Sequence, residues 1–182
     1  MLIGCVDKAF PRQLLCEFAY RYLRPYIDVG SEIGGDKQGI VSLDARTSYI
    51  APGRHCLTCT GVVTPRQLHF ESLSAAERER VRAQGYSDDL VIDQPAVMDL
   101  NMRAVSYGMM ILRHLLQPFL LTPLPVTILE NLVTYSLRGI TEARAANPKC
   151  PTCQSNRRAG YGDCAPALGL EKEAVLAITG PA

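Results

Sequence analysis

The start of the chain shows two hydrophobic patterns in succession, and together they predict a strand–helix–strand unit. Residues 1–6 form a continuous apolar run, which is typical of a strand buried on both faces of a parallel sheet. Residues 10–23 show helical spacing, with one apolar stripe and most of the charges away from it. The stripe comprises Leu14, Leu15, Phe18, Ala19, Tyr22 and Leu23, and the charges are Arg12, Glu17, Arg21 and Arg24. Residues 26–30 predict a second buried strand, so the unit is a right-handed crossover between parallel strands.

The middle of the chain predicts an antiparallel strand followed by an excursion. Residues 39–50 alternate in part between apolar and polar side chains, which favours a strand with one wet face. Residues 60–95 predict a long excursion that contains one short helix. Ser74 and Glu77 have the spacing of a capping box at the start of that helix, and Gly85 is placed to end it.

The last part of the chain predicts a helix, two strands and a tail. Residues 96–116 are apolar nearly all round, which predicts a central helix. Residues 126–146 predict two more strands that turn near Gly139. The Gly- and Ala-rich residues 154–182 predict a tail with one weak helix around 170–178. This mixture of strands and helices predicts an α/β fold.

Composition indicates a globular chain with one domain of ordinary size. The 182 residues are 47% hydrophobic and 20% charged. A formal net charge of +1 gives no electrostatic reason to expect nucleic acid or an acidic membrane as a partner. The longest apolar stretch carries Asp99 and Arg103, so it predicts a core helix rather than a membrane span. The start of the chain lacks a basic segment and reaches Asp7 early, unlike a signal peptide.

Two Cys-x-x-Cys pairs are the strongest local signal. Seven cysteines without an export signal indicate the reducing cytoplasm, where paired cysteines bind metal more often than they form disulfides. The pairs are Cys56 with Cys59 and Cys150 with Cys153. Four thiolates at about 2.3 Å from one ion complete a closed tetrahedral shell, so the pattern predicts a structural zinc site. Disulfides, a redox dithiol and chance spacing remain alternatives. His55 is expected to be a neighbour and not a ligand.

Several motifs in a fixed order resemble one enzyme family. They are IGCVDKAFPRQLLCEFAYRYLRPYIDVG, PGRHCLTCTG, DQPAVMDLNMRAVSYGMMILRHLL and CPTC. This series resembles the second half of the ThiF/MoeB/HesA family, the adenylating domains related to ubiquitin-activating enzymes. The resemblance covers residues 1–155, with 60–95 as the crossover segment, and leaves 156–182 as a tail.

The resemblance implies a Rossmann-like α/β fold and a reaction that uses ATP and magnesium. Members of the family adenylate the C-terminal glycine of a ubiquitin-like or sulfur-carrier protein and release pyrophosphate. They are commonly homodimers. Many carry a four-cysteine zinc site, which Cys56, Cys59, Cys150 and Cys153 match here. The expected partners are therefore a carrier protein and a second copy of the chain.

Asp7 and Arg12 match the family's Asp-Asn-x-x-x-Arg sequence at the end of a central strand. The resemblance implies that Asp7 is catalytic, acting at the ATP triphosphate and its magnesium ion, and that Arg12 helps to bind the nucleotide. The carboxyl end of a parallel strand is where open α/β sheets bind ligands, and a carboxylate suits magnesium. The alternatives are that Asp7 caps the following helix and that Arg12 is a structural charge. Lys8 stands where the family has Asn.

The chain departs from the family pattern in two larger respects. It contains no Gly-x-Gly-x-x-Gly, and the family's phosphate loop would lie before Met1, so we expect only the carboxyl-terminal half of the domain and poor ATP binding by this chain alone. It also has no cysteine between Cys59 and Cys150, where thioester-forming members carry one, which leaves Cys164 as the candidate nucleophile. We therefore expect acyl-adenylate formation without thioester transfer. The alternative is a non-catalytic zinc-bound module that binds a ubiquitin-like protein or a partner subunit.

Overall fold

Five strands form one mixed sheet in the computed structural model, which describes residues 1–36, 38–84, 97–140, 147–150, 152–153 and 159–162. The strands are β1 (Leu2–Gly4), β2 (Tyr26–Asp36), β3 (Gly39–Ile50), β4 (Thr127–Asn131) and β5 (Ser136–Ile140). They are hydrogen-bonded in that order, with β1 and β2 parallel and the other three pairs antiparallel. The helices of the described residues are α1 (Ala9–Arg21), α2 (Pro65–Ser72), α3 (Ala75–Ala83) and α4 (Met98–Leu116). The predicted α/β class is confirmed, with a mixed sheet.

Two hydrophobic clusters lie on opposite faces of this sheet. Tyr26 packs in the cluster that contains residues of α1, and Ile27 packs in the cluster that contains residues of α4. Successive residues of a strand point to opposite faces. The α1 cluster also contains Cys56 and Cys150. Helix α1 and the cysteine pairs therefore cover one face, and α4 covers the other.

Strand β1 lies at an edge of the sheet. Its predicted parallel pairing is confirmed, since Leu2 pairs with Tyr26 and Gly4 pairs with Asp28. The prediction that this strand is buried on both faces was wrong. Ile3 is nearly half exposed, because β2 is the only sheet neighbour of β1 within the described part of the chain.

The buried face of α1 differs from the predicted apolar stripe. Phe18 and Leu23 are exposed, whereas Arg12, Glu17 and Arg21 are buried. Arg12 forms an ion pair with a carboxylate of β2, and the side chains of Glu17 and Arg21 lie 4.0 Å apart, one turn along the helix. The prediction from hydrophobic spacing was wrong because charged side chains that have partners can occupy core positions.

Strands β2 and β3 form a long hairpin. β2 continues well beyond the predicted residues 26–30, whereas β3 has the predicted bounds and the predicted antiparallel direction. Val41, near the hairpin tip, is exposed, and Ala45 is fully buried. Thr47, Ser48, Tyr49 and Ile50 are all buried, so the prediction of one wet face was wrong for this half of β3, because both faces of the sheet are covered there.

Helix α4 is buried along one face only, so the prediction of a central helix was wrong. Its buried residues are Leu100, Ala104, Gly108 and Ile111. Gly108 allows a close approach to β2, because a Cβ at this position would lie 3.2 Å from a methyl group of Val29. An apolar sequence does not reveal how many layers of structure cover a helix. Among the described residues, no helix combines the length and the apolar character needed to cross a membrane.

The crossover segment, residues 60–95, contains two helices in its described part, where one was predicted. The predicted capping box is confirmed: the backbone N–H and hydroxyl of Ser74 donate to the Glu77 carboxylate, and the Glu77 N–H donates to the Ser74 hydroxyl. A second box, formed by Thr64 and Gln67, begins α2 and was not predicted. Gly85 lies outside the described residues.

The β4–β5 hairpin turns earlier than predicted. β4 ends at Asn131, whose side-chain oxygen accepts a hydrogen bond from the backbone N–H of Thr134 in the turn. Gly139, the predicted turn position, lies inside β5. Residues 141–146, the predicted tail helix and Cys164 fall outside the described residues.

Candidate metal centre

The two Cys-x-x-Cys pairs meet on the α1 face of the sheet. The Sγ atoms of Cys56, Cys59, Cys150 and Cys153 all lie within 4.8 Å of one another. Cys56 and Cys150 are buried, with 3.5 Å between their sulfurs, and Cys59 and Cys153 are partly exposed, also at 3.5 Å. The residues predicted as ligands are thus brought together in one group, called the cysteine cluster below.

The sulfur spacing of the cysteine cluster suits a single tetrahedral ion. Four sulfurs at about 2.3 Å from a zinc ion would lie about 3.8 Å from one another, close to the observed 3.5 Å contacts. A disulfide would bring two sulfurs to about 2.05 Å, and these four cysteines are free thiols. Thiolates are also the ligands that select zinc over hard cations such as magnesium. The donor set therefore fits zinc.

Backbone hydrogen bonds form the turns that present the sulfurs. The carbonyl of Cys56 accepts from the N–H of Thr60 at 3.1 Å, and the carbonyl of Leu57 accepts from the N–H of Val62 at 3.0 Å. The turn is closed by Gly61 at a φ of 79°, which favours glycine. In the second pair, the N–H of Cys150 donates to the carbonyl of Asn147 at 2.8 Å.

Gln13 of α1 links the two turns. Its amide nitrogen donates to the hydroxyl of Thr152 at 2.8 Å, and its amide oxygen accepts from the hydroxyl of Thr58 at 3.0 Å. Thr58 and Thr152 occupy the same place in the two pairs, directly before the second cysteine. One side chain therefore holds both turns at a fixed separation. Sequence analysis missed Gln13, although the repeated threonine was a visible signal.

A fifth cysteine, Cys16 of α1, lies behind the cysteine cluster and is fully buried. Its thiol is hydrogen-bonded to Cys56, which lowers the pKa of Cys56 to about 4 and raises the pKa of Cys16 well above its ordinary value. Burial raises the pKa of Cys59 and the pKa of Cys153. Four thiolates this close together repel one another, and a bound cation would offset that repulsion.

His55 is buried beside the cysteine cluster. Its Nδ1 has no hydrogen-bond partner within the described part of the chain, and burial lowers its pKa. The group of residues whose ligand atoms converge contains the four cysteines and not His55. This arrangement agrees with the expectation that His55 is a neighbour of the site.

The two residues predicted to bind nucleotide differ in exposure. Asp7 is exposed and follows the carboxyl end of β1. It does not provide the N-cap of α1, which is Lys8 without a side-chain hydrogen bond. Arg12 is buried, and its guanidinium donates to Asp28 at 2.5 Å. Asp7 is therefore accessible to a ligand, whereas Arg12 is engaged by the sheet.

Asp28 is the centre of a buried charge cluster that sequence analysis missed. Its carboxylate is fully buried and accepts hydrogen bonds from Arg12 at 2.5 Å, from the Tyr26 hydroxyl at 2.7 Å and from Arg46 at 3.0 Å. Gly30 makes room for both guanidinium groups, since a Cβ there would lie 2.6 Å from Arg12 and 3.0 Å from Arg46. An ion pair between a helix and a strand leaves no periodic signal in the sequence.

Glu71 of α2 caps the beginning of α1. Its two carboxylate oxygens accept from the backbone N–H groups of Ala9 at 2.7 Å and Phe10 at 2.8 Å. A carboxylate at this place satisfies unpaired helix N–H groups and suits the positive end of the helix dipole. The crossover segment is thereby attached to the helix that begins just after Asp7.

Comparison of the sequence with protein-family models and with curated proteins finds no match. The function is therefore inferred from the geometry of the site and from the motifs described above.

Proposed function

We propose that this chain is a zinc-bound domain of the ThiF/MoeB/HesA type, which takes part in the ATP-dependent adenylation of the C-terminus of a ubiquitin-like or sulfur-carrier protein. The observation that carries the proposal is the cysteine cluster, because its four sulfurs converge from the two motifs at which the family resemblance implies a zinc site. The exposed carboxylate of Asp7 at the carboxyl end of a parallel strand adds support.

The role of zinc in this proposal is structural. Four thiolates fill a tetrahedral shell and leave no position for a water molecule or a substrate. The ion would join the segment that follows β3 to the segment around Cys150 and would close the long stretch of chain between them. Structural zinc is worth about 10–16 kcal/mol in zinc-finger peptides. The net stability of a whole domain is about 5–15 kcal/mol, so the packing of the α1 face, which carries the cysteine cluster, should depend on the ion.

Elemental analysis of the purified chain tests the metal, and we expect one zinc ion per chain. Cys150→Ser should lose the zinc and most of the cooperative unfolding transition. Cys5→Ser is the matched control, because Cys5 is exposed and outside the cluster. Gln13→Leu should bind zinc about 30-fold more weakly in chelator competition, because the two turns lose two linking hydrogen bonds of about 1 kcal/mol each. A metal-free chain with native melting behaviour would contradict the assignment.

In the proposed reaction, Asp7 contributes a carboxylate to the magnesium ion of bound ATP, a role that suits its chemistry and exposure. The 182 residues contain no Gly-x-Gly-x-x-Gly, so the backbone amides that cradle the phosphates would have to come from outside this sequence. Adenylation by this chain therefore requires a further segment or subunit.

A non-catalytic binding module is the second candidate. Two observations favour it: Arg12 is engaged by the buried Asp28, and the carboxylate of Glu71 occupies the α1 N-terminus, where an anionic ligand would otherwise find free N–H groups. In this case the chain binds a ubiquitin-like C-terminus, or a partner subunit, without chemistry.

ATP–pyrophosphate exchange on the zinc-loaded chain, measured with candidate carriers and with the segment or subunit that supplies the phosphate-binding amides, separates these functions. Adenylation predicts exchange that depends on the C-terminal glycine of the carrier and that is lost in Asp7→Asn, with Glu79→Gln as the control at another exposed acidic position. A binding module predicts carrier binding in calorimetry, without exchange and unchanged in Asp7→Asn. If the chain, so supplemented, neither binds a carrier nor supports exchange, both functions are refuted.

A further inference from the structure

The four sulfurs of the cysteine cluster form two close pairs, and each pair joins the two turns. Cys56 lies 3.5 Å from Cys150, and Cys59 lies 3.5 Å from Cys153. The members of each pair are 94 residues apart in the sequence. In redox proteins, a Cys-x-x-Cys motif forms its disulfide between its own two cysteines. The geometry here brings each cysteine beside a cysteine of the other turn, so oxidation can link the turns to each other.

The two pairs differ in their access to a reagent in solution. Cys56 and Cys150 are buried, at 0% and 4% exposure, whereas Cys59 and Cys153 are partly exposed. The reactivity of a cysteine depends on its thiolate form and on its exposure. Cysteines that bind zinc are all thiolates, so exposure decides which of the four reacts first. Cys59 and Cys153, called the outer pair below, are therefore the cysteines that an oxidant reaches.

We propose that the cysteine cluster is a redox switch, in which hydrogen peroxide converts the outer pair into a Cys59–Cys153 disulfide and the site releases zinc. One thiolate of the outer pair attacks a peroxide oxygen, so that an S–O bond forms, the O–O bond breaks and hydroxide leaves. The other thiolate attacks the sulfenic sulfur, so that the S–S bond forms, the S–O bond breaks and a second hydroxide leaves. The two sulfurs lose two electrons, and the peroxide accepts them and becomes two water molecules with two protons from solvent. The site then keeps only two thiolates, which are too few to retain the ion.

Loss of zinc by this route leaves α1 attached to both turns. Gln13 of α1 is hydrogen-bonded to the hydroxyls of Thr58 and Thr152. These threonines directly precede Cys59 and Cys153, so the disulfide holds together the two residues that Gln13 contacts. A link between residues 94 apart also restricts the unfolded chain far more than a link within one motif. The inference rests on the structural zinc proposed above and does not depend on the proposed adenylation.

Treatment of the full, zinc-loaded chain with one equivalent of hydrogen peroxide tests the switch. Cys5→Ser and Cys164→Ser are combined in the chain used, because these two cysteines belong to neither motif and would compete for the oxidant. A colorimetric zinc indicator should report about one zinc ion released per chain. Trypsin places the two motifs on separate peptides, 55–66 and 150–157, which the expected disulfide joins. Cys56 and Cys150 should remain open to alkylation, and dithiothreitol with added zinc should restore the starting state.

Hydrogen exchange distinguishes oxidation from simple metal loss. Peptides covering residues 9–21 should exchange about tenfold more slowly after oxidation than after chelation, because the disulfide keeps both turns together. Gln13→Leu should reduce this difference without preventing the disulfide, since it removes the attachment of α1 to the turns. Disulfides within one motif, a disulfide that contains Cys16, zinc retained after oxidation, or equal exchange after oxidation and chelation would each overturn this inference alone. A chain that holds no zinc before oxidation would overturn both this inference and the structural role of zinc.

Discussion

Replacement of Asp28 by Asn removes the negative charge at the centre of the buried charge cluster and leaves the side-chain shape nearly unchanged. Asp28 is fully buried and receives hydrogen bonds from Arg12, Arg46 and Tyr26. An Asn can still accept a hydrogen bond, but the two guanidinium groups then lack the carboxylate between them. Removal of one partner from a buried ion pair costs about 3–5 kcal/mol.

We expect a loss near the lower end of this range, about 3 kcal/mol, because the side chain of Arg46 is 19% exposed and can turn toward water. Burial lowers the pKa of Arg46 and the carboxylate of Asp28 opposes that effect, so this guanidinium depends on its partner. In a chain of this length, 3 kcal/mol corresponds to a decrease in Tm of about 6–12 °C. The chain contains no tryptophan, so urea unfolding followed by far-UV circular dichroism is the suitable assay, with a lower midpoint and an unchanged slope expected.

Asp44→Asn is the matched control, because Asp44 lies on the neighbouring strand and is partly exposed, with one hydrogen bond from Asn131. This variant should lose less than about 1 kcal/mol. Combining Asp28→Leu with Arg12→Met and Arg46→Met should recover much of the stability, since apolar replacement of a whole buried ion cluster is often neutral. If Asp28→Asn loses no more than the control, or if the triple variant is less stable than Asp28→Asn, the electrostatic explanation is wrong.

Three further substitutions test single contacts. Gly30→Ala should lower the free energy of unfolding by about 1–3 kcal/mol, since its Cβ would lie 2.6 Å from Arg12; an unchanged urea midpoint would contradict the close approach. Glu71→Gln should cost about 1 kcal/mol at low salt and less at high salt, because the α1 N-terminus loses a charged cap; equal losses at both salt concentrations would argue against a dipole effect. Ser74→Ala should raise the pKa of Glu77, which the hydrogen bond with Ser74 lowers, as measured by NMR titration. The pKa of Glu77 is lower in the folded chain than in the unfolded chain. The ionised Glu77 carboxylate therefore stabilises the fold above the unfolded-state pKa, and this stabilisation is lost as the pH falls through the folded-state pKa. A Glu77 pKa that does not respond to the substitution would refute the capping box.

Periodicity and spacing predicted the features that depend on neighbours in sequence. The bounds of β3, the existence of α1 and α4, and the capping box of Ser74 all follow from local patterns. The cysteine cluster was also predictable, since two sulfurs separated by two residues share one turn and two such turns complete one shell. These signals need no knowledge of what lies across the fold.

Features that depend on distant partners were not predictable. The burial of Arg12 follows from the position of Asp28, which no helical period encodes. The exposed apolar residues of α4, such as Met102 and Met109, are indistinguishable in sequence from those of a core face. The end of β2 was missed because its Gly-rich hairpin tip packs few apolar side chains and so shows no apolar pattern. In each case the sequence shows the chemical type of a residue and not what lies against it.

Loss of the metal should loosen one face of the sheet more than the other. Cys56 and Cys150 belong to the hydrophobic cluster on the α1 face, whereas the cluster around α4 contains no member of the cysteine cluster. Helix α1 contacts the metal site directly, through Gln13 and through Cys16. Chelation of zinc should therefore release α1 while α4 stays packed on β2 and β3. The cooperative unfolding transition should then be lost, but part of the helical signal should remain.

Hydrogen exchange followed by mass spectrometry measures this difference. After chelation, peptides covering residues 9–21 should exchange much faster, and peptides covering residues 98–116 should keep most of their protection. Asp7 lies two residues before α1, so its position also depends on the metal, and any activity that uses Asp7 should require zinc although the ion takes no part in the reaction. Equal loss of protection in both helices would show that the two faces unfold as one unit. Unchanged protection of α1 would show that the cysteine cluster does not hold this helix in place.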